Sequence, residues 1–193
     1  YNEESKYRRG LFNMGLNVEY QAKNFILSAV TGYQNLNDRM FLDQDFTTDN
    51  IFTIEQKQKL NTLSEEIIFK SLEGRKWEWT SGVFGFYQWL NTKGPVTFYE
   101  QGVQTILEDN INEIFSSIKE MSRMKPNLKF KDRSLYVDGI FDTPVLSAAI
   151  FHQSTIHDLF IPGLSFTVGL RLDYEKNKLK YNSNSATSYI FSI

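Results

Sequence analysis

Apolar and polar side chains alternate with a period of two along much of this chain. Residues 10–22 and 163–181 show the pattern most clearly. Successive side chains of a strand point to opposite faces of a sheet, so both stretches are predicted to be strands. One face of each strand is apolar, and it carries Phe12, Met14, Leu16, Val18, Tyr20 and Ala22 in the first and Leu164, Phe166, Val168, Leu170, Leu172 and Tyr174 in the second.

Two stretches lack a firm period. Residues 36–56 gather Asp and Asn, which predicts a long loop. Residues 127–142 are charged and aromatic, and they are predicted to form a loop or a short strand. Further strands are predicted at residues 24–35, 57–72, 76–90 and 143–156, and residues 187–193 begin another alternating run.

One helix is predicted, over residues 100–125. Its apolar side chains are spaced by threes and fours, which places them on a single stripe, and Pro126 helps to end it. The stripe needs an apolar surface to cover it. Its members are Val103, Leu107, Ile111, Ile114, Ile118 and Met121.

The strand at residues 76–90 contains all three tryptophans of the chain. At about 3.3 Å per residue it would extend for roughly 50 Å, whereas strands of soluble proteins usually have about 3–10 residues. A strand that crosses a bilayer needs roughly 9–11 residues for the hydrocarbon, and a longer strand projects into water. The length of this strand therefore favours a transmembrane barrel over a soluble sandwich.

Composition excludes several classes of protein. The 193 residues have a formal net charge of −2 and scattered basic residues, so a nucleic-acid partner is not expected. The absence of cysteine excludes disulfides, thiolate zinc sites and cysteine nucleophiles. No apolar run approaches the roughly 20 residues of a spanning helix, and no signal peptide is visible, but spanning strands would escape such a scan.

The aromatic residues of the 76–90 strand lie at both ends of its nearly uncharged face. Trp77 and Trp79 are at one end, and Tyr87 and Trp89 are at the other. This arrangement is typical of the aromatic girdles of a barrel at the two membrane interfaces. The predicted lipid-facing residues are Trp77, Trp79, Val83, Tyr87, Trp89, Phe166, Val168 and Leu170, and the predicted lumen-facing residues are Arg171, Asp173 and Glu175.

For the strand at residues 76–90, one alternative interpretation is a tryptophan-rich soluble core. A second hypothesis for the whole chain is a soluble antiparallel β protein with one helix. Such a protein would act as a binding module for sugars or another protein through exposed aromatics such as Trp77 and Trp89. Alternation alone does not choose between the two, since both environments place an apolar face opposite a polar one.

Four segments carry a family resemblance. They are "VTGYQNLNDRMFLDQDF" (30–46), "FTIEQKQKLNTLSEEIIFKS" (52–71), "WEWTSGVFGFY" (77–87) and "PGLSFTVGLRLDYE" (162–175). In this order they resemble the barrel region of a TonB-dependent outer-membrane receptor of the Bacteroidetes-like kind. The resemblance covers nearly the whole chain, and its motifs are patterns of strand and loop without a catalytic signature.

The resemblance implies a mainly β fold. The expectation is an antiparallel meander of about 6–8 long strands, forming residues 1–193 into a single partial barrel domain, with the helix as an insertion in an extracellular loop. Family members have a 22-stranded barrel filled by an N-terminal plug, with a short TonB-contacting segment before the plug, and neither the plug nor that segment is found here. We therefore expect a piece of a barrel, located in the bacterial outer membrane, that reaches the TonB system only through the missing plug.

The resemblance also implies a function and partners. The expected function is energised uptake of a metal chelate, a cobalamin-like compound or a glycan, with residues 36–56 and 91–142 as the extracellular contacts. Outer-membrane lipid is the expected partner of the apolar face, and a surface lipoprotein is a further candidate to cover the helix stripe. With bare sheet edges, the isolated piece is expected to self-associate.

No catalytic, cofactor or metal site is predicted, and the chain is not expected to be an enzyme. Asp43, Asp45 and Asp49 share one loop, but the spacing lacks the glycine and the final glutamate of an EF-hand. Adjacent Glu65 and Glu66 must point to opposite faces of a strand, which argues against a paired acid and base. His152 and His157, the only histidines, lack a nearby third metal ligand.

Overall fold

The computed structural model describes residues 3–43, 47–118 and 125–193. Strands dominate the chain, as predicted. The long strands are β1 (Lys6–Gln21), β2 (Phe25–Asp43), β3 (Phe52–Ser71), β4 (Trp77–Lys93), β8 (Val145–Ile156) and β9 (Phe166–Asn177), and the short ones are β5 (Val96–Phe98), β6 (Asn127–Phe130), β7 (Leu135–Asp142), β10 (Lys180–Ser185) and β11 (Tyr189–Ser192).

The six long strands form one antiparallel sheet in the order β1-β2-β3-β4-β8-β9. The short strand β5 pairs with the first residues of β3, and β7 pairs with β5 and with the last residues of β4. The short strand β10 pairs with β7. The remaining strands β6 and β11 pair separately with each other. The fold class is therefore the predicted antiparallel meander with one helix.

The two ends of the sheet differ. At the short-turn end, residues 22–24 connect β1 to β2, residues 72–76 connect β3 to β4, and residues 157–165 connect β8 to β9. Gly74 in the second turn has φ of 78°, a left-handed conformation that glycine adopts without steric cost. At the opposite end, which we call the insertion end, residues 94–144 leave β4 and return as β8, its neighbour in the sheet.

The helical residues 100–117, which we call α1, lie within this insertion, so the helix is inserted between two strands, as predicted. It runs as an α-helical turn at Glu100–Gly102, a π-helical segment at Val103–Glu108 and an α-helix at Asp109–Ser117. The predicted helix is confirmed, but it ends at Ser117 because Ile118 is extended. Residues 119–124, including the stripe residue Met121, lie outside the described residues.

The prediction of a long loop at residues 36–56 is wrong. The second strand continues to Asp43 and the third begins at Phe52, so residues 36–43 and 52–56 belong to the sheet. Polar side chains at this end of the strands are satisfied by partners on the neighbouring strand. The Arg39 guanidinium, for example, lies 2.7 Å from the Glu55 carboxylate.

The prediction of a single strand over residues 163–181 is also corrected. That segment breaks after Asn177, where the Lys178 N–H donates to the Pro144 carbonyl oxygen at 3.1 Å. The chain then continues as β10, which pairs with β7 over six residues. The undecided segment at residues 127–142 forms the strands β6 and β7.

The sheet has almost no core. Among the described residues only Val103, Leu135 and Ala149 are buried hydrophobic side chains, and no large side chain is fully buried. Relative exposure is 56% for Trp77, 45% for Val83, 56% for Phe166 and 70% for Leu170. These side chains lie on an open surface of the sheet, and a tryptophan-rich interior is not found in the described part of the chain.

None of the described helices has the length and apolarity needed to cross a lipid bilayer.

Candidate functional site

The strand register sorts the sequence-predicted residues onto two faces. Directly paired residues of an antiparallel sheet share a face. Through the β4–β8 and β8–β9 pairings, Trp77 shares a face with Phe166, and Ser81 shares it with Leu170. We call this the apolar face and its reverse the mixed face. The apolar face carries Trp77, Trp79, Val83, Tyr87, Trp89, Phe166, Val168 and Leu170, and the mixed face carries Arg171, Asp173 and Glu175.

The apolar face carries a band of nine residues on each of four strands. On β1, β2, β4 and β9 the band begins and ends with an aromatic residue. Nine residues match the roughly 9–11 that a strand needs to cross the hydrocarbon of a bilayer. The four stretches are residues 12–20, 25–33, 79–87 and 166–174.

The border of the band at the short-turn end is continuous from β1 to β4. Ring centroids lie 6.5 Å apart for Tyr20 and Phe25, 4.7 Å for Phe25 and Phe69, and 4.8 Å for Phe69 and Trp79. Aromatic pairs at such separations attract one another beyond the area that they bury. The four rings therefore form a ladder across four strands.

The border at the insertion end is shorter. Phe12 and Tyr33 lie 6.4 Å apart, and Tyr87 and Trp89 lie 4.3 Å apart with perpendicular rings. The sequence prediction found the borders on β4, but it missed those of β1 and β2. The available signal was a pair of aromatic residues eight positions apart within an alternating strand.

The band shifts along the strands as it crosses the sheet. Its centre on β1 is Leu16, which the register aligns through Thr31 and Glu65 with Gly85. Its centre on β9 is Leu170, which aligns through His152 with Ser81. The band on β9 is therefore displaced by four residues from the band on β1, toward the short-turn end.

Two titratable residues interrupt the band, and each has polar partners. Glu65 accepts a hydrogen bond from the Thr31 hydroxyl at 2.5 Å. The His152 ring lies 2.7 Å from the Ser81 hydroxyl and 2.9 Å from the Ser154 hydroxyl. Glu66 lies on the mixed face, opposite to Glu65 as predicted.

The predicted lumen-facing charges make contacts along their own strand. Arg171 donates to Asp173 at 2.9 Å, and Asn177 donates to Glu175 at 2.8 Å. Among the described residues none of the three charges forms an ion pair with a neighbouring strand, but the Arg171 guanidinium lies 5.8 Å from the centre of the Phe151 ring on β8. On the β8 side their direct partners are uncharged, as Phe151 opposite Arg171 shows, and on the other side β9 is an edge among the described strands.

A second charged cluster lies on the mixed face near the insertion end. The Arg9 guanidinium donates two hydrogen bonds to the Asp38 carboxylate, at 2.9 and 2.7 Å. The Tyr7 hydroxyl donates a third, at 3.0 Å. The hydrogen bonds from Arg9 hold the pKa of Asp38 below its ordinary value of 3.8, despite partial desolvation.

The acidic loop does not assemble a metal site in the described residues. Asp43 accepts a hydrogen bond from the Glu3 N–H at 3.1 Å, and the Asp49 N–H donates to the Thr47 hydroxyl at 3.1 Å. Asp45 lies outside the described residues. No group of three or more metal-ligating side chains is found in the described ranges.

Helix α1 docks on the small sheet of β6 and β11. The Asn112 amide donates to the Leu128 carbonyl oxygen at 3.0 Å and accepts from the Leu128 N–H at 2.8 Å. The Phe115 and Phe191 rings lie 5.9 Å apart at right angles. The stripe is buried at Val103 but exposed further along, where Ile114 is 58% exposed.

No family model and no curated protein matches this chain. Among solved structures, the ferric yersiniabactin uptake receptor FyuA from Yersinia pestis aligns with a TM-score of 0.62 and 10% identity over 96% of this chain and 25% of that receptor. Pseudomonas aeruginosa OpdQ aligns with 7% identity over 98% of this chain and 62% of its own, but its TM-score of 0.18 is too low for any argument.

The likeness to FyuA shows the fold. The long antiparallel strands correspond to part of the barrel of a TonB-dependent receptor, and the similarity is to an uptake receptor. The chain spans about a quarter of the length of that receptor.

Proposed function

We propose that this chain forms part of the barrel wall of a TonB-dependent outer-membrane receptor for nutrient uptake. The band on the apolar face is the observation that carries the proposal. It is nine residues high, bordered by aromatic rings, exposed, and opposite a face that carries charges. These are the features of a strand surface in contact with lipid.

The remaining parts of the proposal follow from this placement. Residues 1–193 form one partial barrel domain in the bacterial outer membrane, with lipid on the apolar face and the lumen on the mixed face. Coupling to the TonB system passes through a plug elsewhere in the receptor. The insertion end faces outward, so the 94–144 insertion and the short segment between β2 and β3 contribute the extracellular contacts.

The proposed substrate is a scarce large nutrient. FyuA is a receptor for the uptake of ferric yersiniabactin, and a metal chelate is one of the three classes that we consider, together with a cobalamin-like compound and a glycan. A surface lipoprotein is a candidate partner for the exposed part of the helix stripe.

Neighbouring positions of β9 provide a test in the complete gene product. These 193 residues contain no cysteine, so in a complete gene product whose other cysteines have been replaced, Val168→Cys on the apolar face and Thr167→Cys on the mixed face each give a single labelling site. In outer-membrane vesicles, a bimane label at residue 168 should be quenched by nitroxide-bearing lipids. The matched label at residue 167 should be quenched by aqueous iodide instead.

Two outcomes would contradict the proposal. One is recovery of the complete gene product in the soluble fraction of its host. The other is equal quenching of both labels by iodide, which would indicate water on both faces. The alternative of a soluble binding module requires a cover over the apolar face, and the described residues supply none.

A further inference from the structure

Four basic residues form one row across the insertion end of the sheet. The register places Arg8 directly opposite Arg39, Arg39 opposite Lys57, and Lys57 opposite Lys93. All four lie on the apolar face and are exposed. We call these four residues the basic row. Like charges that are directly opposite on neighbouring strands repel one another and destabilise a sheet. Such a row is therefore unfavourable unless a group outside it compensates the charge.

Acidic side chains neutralise only part of the basic row. Glu55 lies 2.7 Å from the Arg39 guanidinium and 3.0 Å from the Lys57 ammonium. Burial raises the pKa of Glu55, but hydrogen bonds from Lys57 and Arg39 outweigh it and leave the pKa below its ordinary value. Within the described residues, Arg8 and Lys93 have no ion-pair partner.

The basic row lies just beyond the aromatic border of the band. Arg8 is four residues from Phe12, Arg39 is six residues from Tyr33, and Lys93 is six residues from Tyr87, in each case toward the insertion end. If the band lies in hydrocarbon, separations of four to six residues along inclined strands place the basic row in the region of the lipid headgroups.

The surroundings of the basic row offer hydrogen bonds and space. Between band and row, Asn37 donates to Asn35 at 2.9 Å, and Asn35 donates to Asn61 at 2.8 Å. Beside Arg8 and Arg39 lies an open groove of about 540 Å³, lined also by Lys6, Tyr7, Phe41, Glu3 and Glu4. The acidic groups of the groove are partly neutralised, since Glu4 pairs with Lys6 at 3.3 Å.

We propose that the basic row binds the phosphate groups of anionic membrane lipids. Guanidinium groups match phosphate oxygens in a bidentate geometry, and lysines add charge. A phosphate between Arg8 and Arg39, or between Lys57 and Lys93, relieves the repulsion within the row. This inference rests on the proposed function, because the basic row meets lipid only when the apolar face lies in a membrane.

The test measures lipid binding by the complete gene product in neutral detergent micelles. The probe is a fluorescent phosphatidylglycerol, and anisotropy reports its binding. Arg8→Gln together with Lys93→Gln should weaken binding about 10- to 30-fold, since each basic residue near an anionic lipid surface contributes roughly fivefold. The matched control replaces Lys23 and Lys76, exposed lysines of the short-turn end, by Gln and should leave the affinity unchanged.

Two further arms identify the source of the phosphate. A fluorescent phosphatidylcholine should bind the native protein and both variants equally, because its headgroup has no net charge. Inorganic phosphate at the concentration of the lipid probe should not displace phosphatidylglycerol. Displacement by inorganic phosphate would replace the lipid site by a general anion site and overturn the proposal.

The remaining outcomes separate this inference from the proposed function. Unchanged phosphatidylglycerol binding in the Arg8/Lys93 variant overturns the inference, even if the labels at residues 167 and 168 confirm the orientation of β9. Loss of folding is not expected, because removal of two charges from the basic row reduces repulsion. An unfolding curve of the variant in the same micelles checks this.

Discussion

At the scale of single residues, the Arg9–Asp38 pair makes the stability of the sheet depend on pH. The pKa of Asp38 lies below its ordinary value of 3.8, so the ionised carboxylate is favoured in the folded sheet. The stabilisation is therefore fully present above pH 3.8 and is lost as the pH falls through the lower, folded-state pKa. Protonation of Asp38 then removes the charge that Arg9 contacts.

Substitution of Arg9 tests this dependence. We expect Arg9→Gln to raise the pKa of Asp38 toward 3.8, as measured by a carboxyl ¹³C NMR titration in detergent micelles. The matched control is Arg8→Gln, which alters the adjacent residue on the other face and should leave this pKa unchanged. An Asp38 pKa that is insensitive to Arg9→Gln would mean that the pair does not persist in solution.

A second residue-scale prediction concerns Gly82. On the mixed face the Phe151 ring lies over this glycine, and an added Cβ would overlap Phe151 Cζ and lie 3.0 Å from the Ile67 carbonyl oxygen. We expect Gly82→Ala to lower the free energy of unfolding by about 1–3 kcal/mol. Urea unfolding in detergent measures the change.

Gly85 provides the control, three residues further along the same strand. A Cβ added there meets no atom within 4 Å, so Gly85→Ala should change the free energy of unfolding by no more than about 0.5 kcal/mol. Equal effects of the two substitutions would show that Phe151 does not pack on Gly82.

At the scale of elements, Asn112 attaches helix α1 to β6. Its side chain occupies both backbone hydrogen-bonding groups of Leu128, in the manner of a neighbouring strand. A hydrogen bond of this kind contributes about 0.5–1.5 kcal/mol. Asn112→Ala is therefore expected to accelerate hydrogen exchange of the Leu128 amide by about 2- to 12-fold.

Asn110 is the matched control for this exchange experiment. Its amide donates to the Ile106 carbonyl oxygen at 2.7 Å, within the helix itself. Asn110→Ala should leave exchange at Leu128 unaltered. Equal acceleration by both substitutions would point to general loosening of α1 rather than to loss of its attachment.

Much of the strand arrangement could be predicted from local alternation, as in residues 10–22 and 163–181. The extension of β2 to Asp43 could not, because the polar residues there are satisfied by partners distant in sequence. Arg9 and Asp38 are 29 positions apart, and Arg39 and Glu55 are 16 apart. A periodicity scan within one segment does not detect such pairs.

At the scale of the whole molecule, the exposed apolar face and the sheet edges predict association. Among the described strands, β1 and β9 each pair on one side only. We expect the 193-residue chain to form dimers or larger species in plain buffer and monomers in detergent, as measured by light scattering. A stable dilute monomer in plain buffer, with exposed tryptophans, would contradict this prediction.

Charge substitutions locate the association surface. Val168→Lys and Leu170→Lys together place two charges on the apolar face and should reduce the mass of the species in plain buffer. Thr167→Lys on the mixed face is the matched control and should have a smaller effect. If the control is equally effective, association occurs through edges or the mixed face instead.

The candidate site could be predicted only in part. Alternation along β4 indicated one bordered face, because all three tryptophans lie on that strand. The continuity of the border through Tyr20, Phe25 and Phe69 depends on the register between strands. The basic row depends on register in the same way, since its four members are separated by 18 or more positions in the sequence.

The oblique course of the band across the sheet has a geometric consequence. A displacement of four residues is about 13 Å along a strand, and the five strand spacings from β1 to β9 amount to about 24 Å. The band coincides with a flat hydrocarbon–water interface only if the strands are tilted from the membrane normal by about 30°. This angle is close to the tilt of roughly 35–45° in closed barrels. If the strands were parallel to the membrane normal, one side of the band would lie about 13 Å outside the hydrocarbon core of the bilayer.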